Sequence, residues 1–374
     1  MDYQLITDNK ALEKLCQSVR NSTWLMLDTE FVRIRTFYPK LGLIQLFDGE
    51  QLALIDPLTI DDMTPFVKLL NDKTITKVLH ACGEDIEVFQ HAFGCIPYPM
   101  VDTQIMAAFL GHGLSTGFAS LVQQYLGVEL DKSEARTDWC ARPLTQKQMQ
   151  YAAADVFYLL PLFEQLKPQL EQANWWQDAL QESQHQAQKR LSNTDIALLY
   201  REIKGAWKLT SLQLARLQPL AEWRYREAVK RDLALNFIFK EIDLLEVARL
   251  GLTQKHAMLE AGMDERSVMR HGKAIAKLVS DANELPTDSH PEKVIRLVDE
   301  NQYKQTFKTL KDVVQKVAKE TGLATEFLAS KKQIHQLIKW VWHHNKAPHC
   351  LPDVMQGWRQ PLLGEEMLVK LVEN

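Results

Sequence analysis

Two carboxylates at the end of one apolar stretch have the clearest capacity for chemistry in this sequence. Asp28 and Glu30 end the segment Trp24–Phe31, and residues two apart on a strand project from the same face. Neighbouring carboxylates repel and raise one another's pKa, so the pair needs a compensating cation. Hard divalent ions such as Mg²⁺ prefer oxygen ligands and suit such a pair. Taken alone, the two residues also fit a solvated strand end.

Three further residues could complete an acidic site. Asp85 falls in the first turn of a helix that follows His80, with Gly83 expected in the turn. Its charge suits the helix dipole, which is a sufficient structural reason for an acid there. Tyr151 and Asp155 are four residues apart, so they share one flank of a helix. A buried structural Tyr–Asp pair would show the same spacing.

The surrounding patterns predict the elements that position these residues. A helix capped by Asp8 precedes the first strand, and the segment Asp48–Glu50 predicts a hairpin between two more strands. Thr145 and Gln148 form a capping box at the start of the helix with Tyr151, and Pro161 predicts a kink or break near Leu160. The other predicted elements are strands 43–47, 52–56 and 75–79 and helices 8–19, 64–70 and 101–109.

Composition and motifs exclude several classes of protein. The 46% apolar and 25% charged fractions are those of a soluble protein, without a signal peptide or an apolar run of membrane-spanning length. Five scattered cysteines without a Cys-x-x-Cys pair argue against disulfides and thiolate zinc, and favour a reducing cytoplasm. Gly113–Gly117 matches G-x-S-x-G, but a helix is predicted before it where a nucleophile elbow needs a strand. Phosphate-binding glycine loops are also missing.

The second half of the chain differs from the first. Residues 1–170 contain 14 Lys and Arg against 21 Asp and Glu, whereas residues 171–374 contain 30 against 27. After a Gln- and Glu-rich segment at 165–194, residues 233–241 resemble residues 323–331 at an offset of 90. This repeat predicts two related all-helical modules, at about 206–290 and 291–374, with a slightly basic surface suited to a polyanion.

The acidic segments together resemble a known family. Asp28-Thr29-Glu30-Phe31, His80 with Asp85, and Tyr151-x-x-x-Asp155 resemble the three exonuclease motifs of the DEDD superfamily, and the tyrosine marks its DEDDy branch. Residues 33–45 and 131–144 extend the likeness to the ribonuclease D family. Residues 220–224 and 231–233 resemble an HRDC domain, with a diverged second copy behind it. The likeness covers nearly the whole chain.

The resemblance implies a fold and an organisation. An α/β domain at 1–170, RNase H-like with a mixed sheet, would be the exonuclease. Linker helices at 171–205 would lead to an HRDC domain at 206–290 and a diverged HRDC-like domain at 291–374.

The resemblance also implies the chemistry. The chain would hydrolyse RNA from the 3′ end with two Mg²⁺ or Mn²⁺ ions, release 5′-mononucleotides and trim precursor tRNAs. The family pattern assigns the first ion to Asp28, Glu30 and Asp155, and the second chiefly to Asp28 with Asp85 in its outer shell. Tyr151 would orient the attacking water, and His80 would support the site.

Other residues could bind the substrate, and two other functions compete. Arg33 beside the site and a stripe on one helix face, formed by Lys304, Lys308 and Lys311, could contact RNA phosphates. Solvated surfaces would explain them equally well. Gln45 is expected to be a buried amide with satisfied hydrogen bonds, and a contact in the site is the alternative. A DEDDy DNA exonuclease is the alternative enzyme, and a catalytically silent RNA-binding scaffold is the alternative of another class.

Overall fold

The strand that carries Asp28 and Glu30 lies inside a mixed sheet. The computed structural model describes residues 1–131, 133–191 and 195–373. In this part of the chain the sheet has the order β1-β4-β3-β2-β5-β6, with β2 antiparallel to β3 and parallel to β5. The strands are β1 (Gln4–Ile6), β2 (Trp24–Val32), β3 (Lys40–Phe47), β4 (Leu52–Ile55), β5 (Thr76–Leu79) and β6 (Met100–Asp102). The predicted mixed sheet and its hairpin are confirmed, whereas three-residue β1 and β6 were not predicted.

Helices account for most of the remaining chain. The first group follows or interrupts the strands: α1 (Asn9–Ser18), α2 (Thr64–Leu70), α3 (Gly83–Phe93), α4 (Thr103–Phe109), α5 (Phe118–Leu126), α6 (Gln146–Gln172) and α7 (Trp176–Arg190). The next group is α8 (Ser211–Arg231), α9 (Leu235–Ile238), α10 (Glu241–Leu250), α11 (Lys255–Glu260) and α12 (Glu265–Asn283). The last is α13 (Tyr303–Thr321), α14 (Thr325–Leu328), α15 (Lys331–Trp342) and α16 (Glu365–Glu373). Among the described residues, no helix is both long and apolar enough to cross a membrane.

Helix α6 covers the face of the sheet from which Asp28 and Glu30 project. It packs on β2, β3 and β4, while α1, α2 and α3 bury the opposite face in an apolar core. The predicted capping box is present, because Thr145 and Gln148 satisfy each other's backbone amides. The prediction near Leu160 is a kink or a break, and the break is wrong because the helix continues through Pro161, whereas the kink stays a prediction. Burial of its neighbours Leu159 and Leu162 offsets the lost hydrogen bond.

Helix α7 is packed, although the sequence assigns it to a linker. It lies against β6 and α4, and Ser183 accepts a hydrogen bond from the backbone N–H of Asp102 at 3.0 Å. Ala179 and Ala187 are buried beside it. The buried face of α7 is not evident from its Gln-rich sequence, because the small side chains of alanine and serine contribute little to an apolar pattern. Residues 192–194 of the proposed linker lie outside the described residues, and the boundaries 1–170, 171–205, 206–290 and 291–374 stay a prediction.

The chain divides into two compact units. The first comprises Met1–Val32, Pro39–Ser192 and Asn301–Asn374, so α13–α16 belong to the unit that contains the sheet. Aromatic rings join the two parts: Phe109 on α4 meets Phe327 at 4.8 Å and Trp358 at 4.9 Å between ring centroids. The C-terminal helices therefore belong to the same compact unit as the sheet, which the repeat pattern does not predict.

A buried ion pair lies beside these rings. Arg359 donates to Glu182 of α7 at 2.5 Å, and both side chains are only 4% exposed. The indole of Trp358 donates to the same carboxylate at 2.9 Å, and the guanidinium also donates to the Phe327 and Leu328 carbonyls. All of these hydrogen bonds join residues of the first unit.

The second compact unit comprises Arg33–Tyr38 and Asn193–Glu300. Helices α8–α12 form its core around Leu217, Leu220 and Phe239. The short segment 33–38 packs on these helices, because the Arg35 carbonyl accepts from the Ala234 N–H at 2.8 Å. The sequence allows this segment to be either a contact for RNA or an exposed loop, and both readings stay predictions; the structure assigns it to the helical unit.

We predict that Arg359→Met destabilises the protein by about 3–5 kcal/mol, because it leaves the Glu182 carboxylate buried and unpaired. Urea unfolding of the full chain measures this loss. Lys316→Met is the matched control, since it removes one partner of an exposed pair with Glu366 and should leave the midpoint unchanged. Equal effects of the two changes would contradict the role of the buried pair.

Candidate active site

Three of the predicted acidic residues converge at one point. Asp28 and Glu30 project from the face of β2 that α6 covers, and Asp155 projects from α6 toward them. One donor oxygen of each carboxylate lies within 4.8 Å of the other two. Three carboxylates at this spacing are a donor set that suits a hard divalent cation, so the residues fit such an ion.

Asp85 lies on the side of β2 opposite to Asp28 and Glu30. It lies buried in the first turn of α3, and the Thr29 hydroxyl donates a hydrogen bond to its carboxylate. Because Thr29 stands between Asp28 and Glu30, its side chain points to the opposite face of β2. Asp85 is therefore held close to the three converging carboxylates without being one of them. Thr29 was not singled out from the sequence, although its place between two candidate ligands was a usable signal.

The turn before α3 is made by an unexpected residue. Ala81 adopts the left-handed conformation at φ 53°, whereas Gly83 is the first residue of α3. The prediction that Gly83 lies in the turn is wrong. Asp102 makes the turn possible, because its carboxylate accepts from the backbone N–H groups of Ala81 and Cys82, each at 2.9 Å. A buried capping acid outside the family motifs thus fixes the start of α3, and with it Asp85.

Tyr151 and His80 border the carboxylates. Tyr151 and Asp155 share one flank of α6, as the four-residue spacing predicts, and the Tyr151 hydroxyl is hydrogen-bonded to Asp155. His80 is held by Thr103, with Nδ1 and Oγ1 at 2.9 Å. Both line a cavity of about 170 Å³, whose walls are Leu27, Asp28, His80, Phe118, Tyr151, Asp155 and Leu159. The cavity gives a small group direct access to two of the acids and the phenol.

Burial raises the pKa of every acid here, and repulsion from the neighbouring acids raises the pKa of Asp28 and Glu30 further. Burial, followed by the charges of neighbouring acids, raises the pKa of Asp28 well above its usual range and that of Glu30 to about 9. Burial also raises the pKa of Asp155 to about 7 and of Asp85 to about 6, although hydrogen bonds from Tyr151 and Thr29 oppose the shift. The protein therefore keeps negative charge at this point only at an energetic cost, which a bound cation removes.

The loop that precedes α6 is held in place beside Tyr151 by contacts of Arg142. Arg142 holds Asp56 through two hydrogen bonds of 2.6 and 2.7 Å and donates to the Trp139 carbonyl at 2.9 Å. Trp139 is buried, with its ring centroid 6.1 Å from that of Tyr151. These loop residues were not chosen from the sequence as site residues. Lys132, within the 131–144 segment that resembles the family, lies outside the described residues.

Gln45 departs from its prediction. It is fully buried, as expected, but neither its amide nitrogen nor its oxygen has a hydrogen-bond partner in the described part of the chain. The expectation of a satisfied amide is wrong. Gln45 lies on β3 directly opposite Asp28, so an unpaired polar group is a neighbour of the carboxylate cluster.

The predicted substrate-binding residues lie outside this cluster. Arg33 is in the segment of the second unit, where it donates to the Phe37 carbonyl at 2.9 Å. Lys304, Lys308 and Lys311 are exposed on α13, away from its buried Leu310. The structure thus forms the predicted stripe, and its contact with RNA stays a prediction.

Known families match three parts of the chain. The family described as 3′-5′ exonuclease matches residues 3–171, the HRDC domain family matches residues 213–279, and the ribonuclease D C-terminal HRDC domain family matches residues 301–367. Ribonuclease D of Serratia proteamaculans is 49% identical over 97% of both chains. Ribonuclease D of Escherichia coli K12 is 47% identical over 98% of both.

Solved structures agree with these relatives. The crystal structure of Escherichia coli RNase D, described as an exoribonuclease involved in structured RNA processing, is 46% identical, covers 100% of this chain and 99% of its own, and superposes with a TM-score of 0.96. The catalytic core of RRP6 from Trypanosoma brucei, 23% identical over 76% of this chain and 81% of its own with a TM-score of 0.63, shares the fold. On sequence, domain content and fold together, this chain belongs to the ribonuclease D family of 3′-5′ exoribonucleases.

Proposed function

We propose that this exoribonuclease uses two Mg²⁺ or Mn²⁺ ions to release 5′-mononucleotides, and that it trims precursor tRNA 3′ ends in the cytoplasm. An RNA substrate and dependence on a divalent metal follow from the family. The observation that carries the two-ion proposal is the convergence of three carboxylates within 4.8 Å, with a fourth beside them. The tRNA proposal is supported by the structured-RNA processing for which the Escherichia coli relative is described.

Each acid has a proposed place in the metal site. Asp28, Glu30 and Asp155 would hold one ion, since their oxygens already converge. Asp28 would share the second, with Asp85 outside its direct coordination, because Asp85 accepts from Thr29 instead of joining the other three. When bound, such ions neutralise phosphate charge and lower the pKa of a water. The protein contributes by holding four acids at fixed positions from β2, α3 and α6.

Tyr151 and His80 have proposed roles in positioning. The Tyr151 hydroxyl borders the cavity and is bonded to Asp155, so it can hold a water beside that carboxylate. Burial and the nearby acids raise its pKa, so the phenol keeps its proton throughout the working pH range. His80 would support the site as a neutral ring, because burial lowers its pKa and Thr103 fixes its orientation.

RNA outside the active site would meet basic surfaces of the helical modules. The exposed stripe of Lys304, Lys308 and Lys311 lies on one face of α13 and can contact successive phosphates. Arg33 would add a contact from the second unit. We retain 1–170, 171–205, 206–290 and 291–374 as the proposed division between catalytic, connecting and RNA-binding segments.

Release of mononucleotides from matched RNA and DNA oligonucleotides tests the function. The protein should shorten RNA from the 3′ end in Mg²⁺ or Mn²⁺ and be inactive in EDTA. Asp28→Asn should reduce release to background, because an amide lacks the negative charge of the proposed shared ligand. Glu50→Gln, on an exposed turn, is the matched control and should keep full activity. Wild-type rates with Asp28→Asn would overturn the metal-site assignment.

The pH dependence of metal-free stability tests the cluster without catalysis. Because the folded protein raises these pKa values, it binds more protons than the unfolded chain between about pH 4 and the pKa of Glu30 near 9. In EDTA the melting temperature should therefore fall as pH rises through this window. Glu30→Gln should raise the melting temperature at pH 8 and flatten its pH dependence, as calorimetry would measure. A lower melting temperature for this variant at pH 8 would refute net repulsion in the cluster.

Tyr151→Phe separates water positioning from metal binding. The ring and its packing on Trp139 remain, whereas the hydroxyl is lost. Single-turnover rates should fall about 10²–10⁴-fold, with little change in the Mn²⁺ concentration that gives half the rate. Tyr158→Phe, on the same helix, should leave the rate unchanged. Recovery of the Tyr151→Phe rate at high Mn²⁺ would assign the hydroxyl to metal affinity instead, and an unchanged rate would make it a packing group.

A further inference from the structure

An unpaired amide is buried next to the principal proposed ligand. Gln45 is fully inaccessible to solvent, and both its amide atoms lack a hydrogen-bond partner among the described residues. Leaving polar atoms of this kind unpaired is costly, and such atoms in a native fold require a physical reason. An apolar side chain of the same size would avoid the cost, so packing alone does not explain a glutamine here.

The strand register identifies the group that the amide faces. Gln45 of β3 is directly opposite Asp28 of β2 in an antiparallel pair, so the two side chains lie on the same face with Cβ atoms about 4.5–5.5 Å apart. The neighbours along β3 and across on β4 are apolar, since Leu43, Phe47 and Leu54 are all buried, and Glu30 lies diagonally across on β2. In the strand register, Asp28 is therefore the polar side chain directly opposite the Gln45 amide.

We propose that Gln45 is a positioning residue, whose amide nitrogen donates a hydrogen bond to the Asp28 carboxylate when divalent ions occupy the site. This inference rests on the proposed metal site. Carboxylates that bind metals are themselves held by hydrogen bonds, which fix their direction. A neutral amide does this without adding a fixed positive charge that would compete with the ions. Because the amide is closed to solvent and covered by α6, RNA does not reach it.

Replacement by methionine, which is close to glutamine in shape, tests the proposal. Metal-free Gln45→Met should melt at the same temperature as the parent or a few degrees higher, because an unpaired buried amide is removed. Its affinity for Mn²⁺, measured from the electron paramagnetic resonance signal of free Mn²⁺, should fall about tenfold or more. Opposite changes in stability and affinity are not expected of a residue that only packs.

Gln333→Met is the matched control. Gln333 is also buried, but its amide oxygen accepts from the backbone N–H and hydroxyl of Ser330 in the capping box of α15. This change should lower the metal-free melting temperature and leave Mn²⁺ affinity unaltered. Gln45→Asn retracts the amide by one methylene and serves as a second variant, which should weaken Mn²⁺ binding as Gln45→Met does.

Two results would overturn the inference: parental Mn²⁺ affinity in either Gln45 variant, or a weakened affinity shared equally by Gln333→Met. Asp28→Asn distinguishes this failure from failure of the proposed function. If Asp28→Asn abolishes Mn²⁺ binding while the Gln45 variants bind normally, only the role of Gln45 is wrong. If Asp28→Asn binds Mn²⁺ as the parent does, the metal site itself is misassigned.

Discussion

Repulsion among four carboxylates is the constraint on which the rest of the site depends. Asp28, Glu30, Asp85 and Asp155 are brought together from β2, α3 and α6, and the pKa of each is raised by burial, by neighbouring charge or by both. In the absence of a cation, the fold must hold the four acids together against this repulsion or let them take up protons. The packing of α6 across three strands and the anchoring of α3 by Asp102 hold the acids in place.

The C-terminal helices extend the same scaffold. The pair between Arg359 and Glu182 is fully buried, and such pairs stabilise a fold only when every charged atom is hydrogen-bonded. Here Trp358 and two backbone carbonyls complete the set. Helix α7, which carries Glu182, also packs on β6, so the buried pair connects the C-terminal helices to the sheet. The last helical module therefore has a structural role besides its proposed contact with RNA.

The residues that carry the chemistry of the site were easier to predict from the sequence than the residues that hold them in place. Spacing alone places Asp28 with Glu30 and Tyr151 with Asp155, because strand and helix periods fix which side chains share a face. Asp102 and Arg142 act through contacts between residues distant in sequence, which no local pattern encodes. Thr29 also acts on a distant residue, Asp85, although its place between two candidate ligands was a usable signal. The continuity of α6 through Pro161 and the left-handed Ala81 are likewise imposed by tertiary packing against local preference.

The hydrogen-bond partners of the four acids explain why the negative charge of the carboxylates remains to be balanced by a metal ion. Thr29 donates to Asp85 and Tyr151 is bonded to Asp155, and both partners are neutral. Within the described residues, no ion pair joins a lysine or arginine to any of the four carboxylates, although such pairs occur elsewhere in the fold. A fixed cation would satisfy the acids permanently and compete with a divalent metal ion. Neutral donors orient the oxygens and leave their charge uncompensated, so the proposed amide of Gln45 would extend to Asp28 the arrangement already present at Asp85 and Asp155.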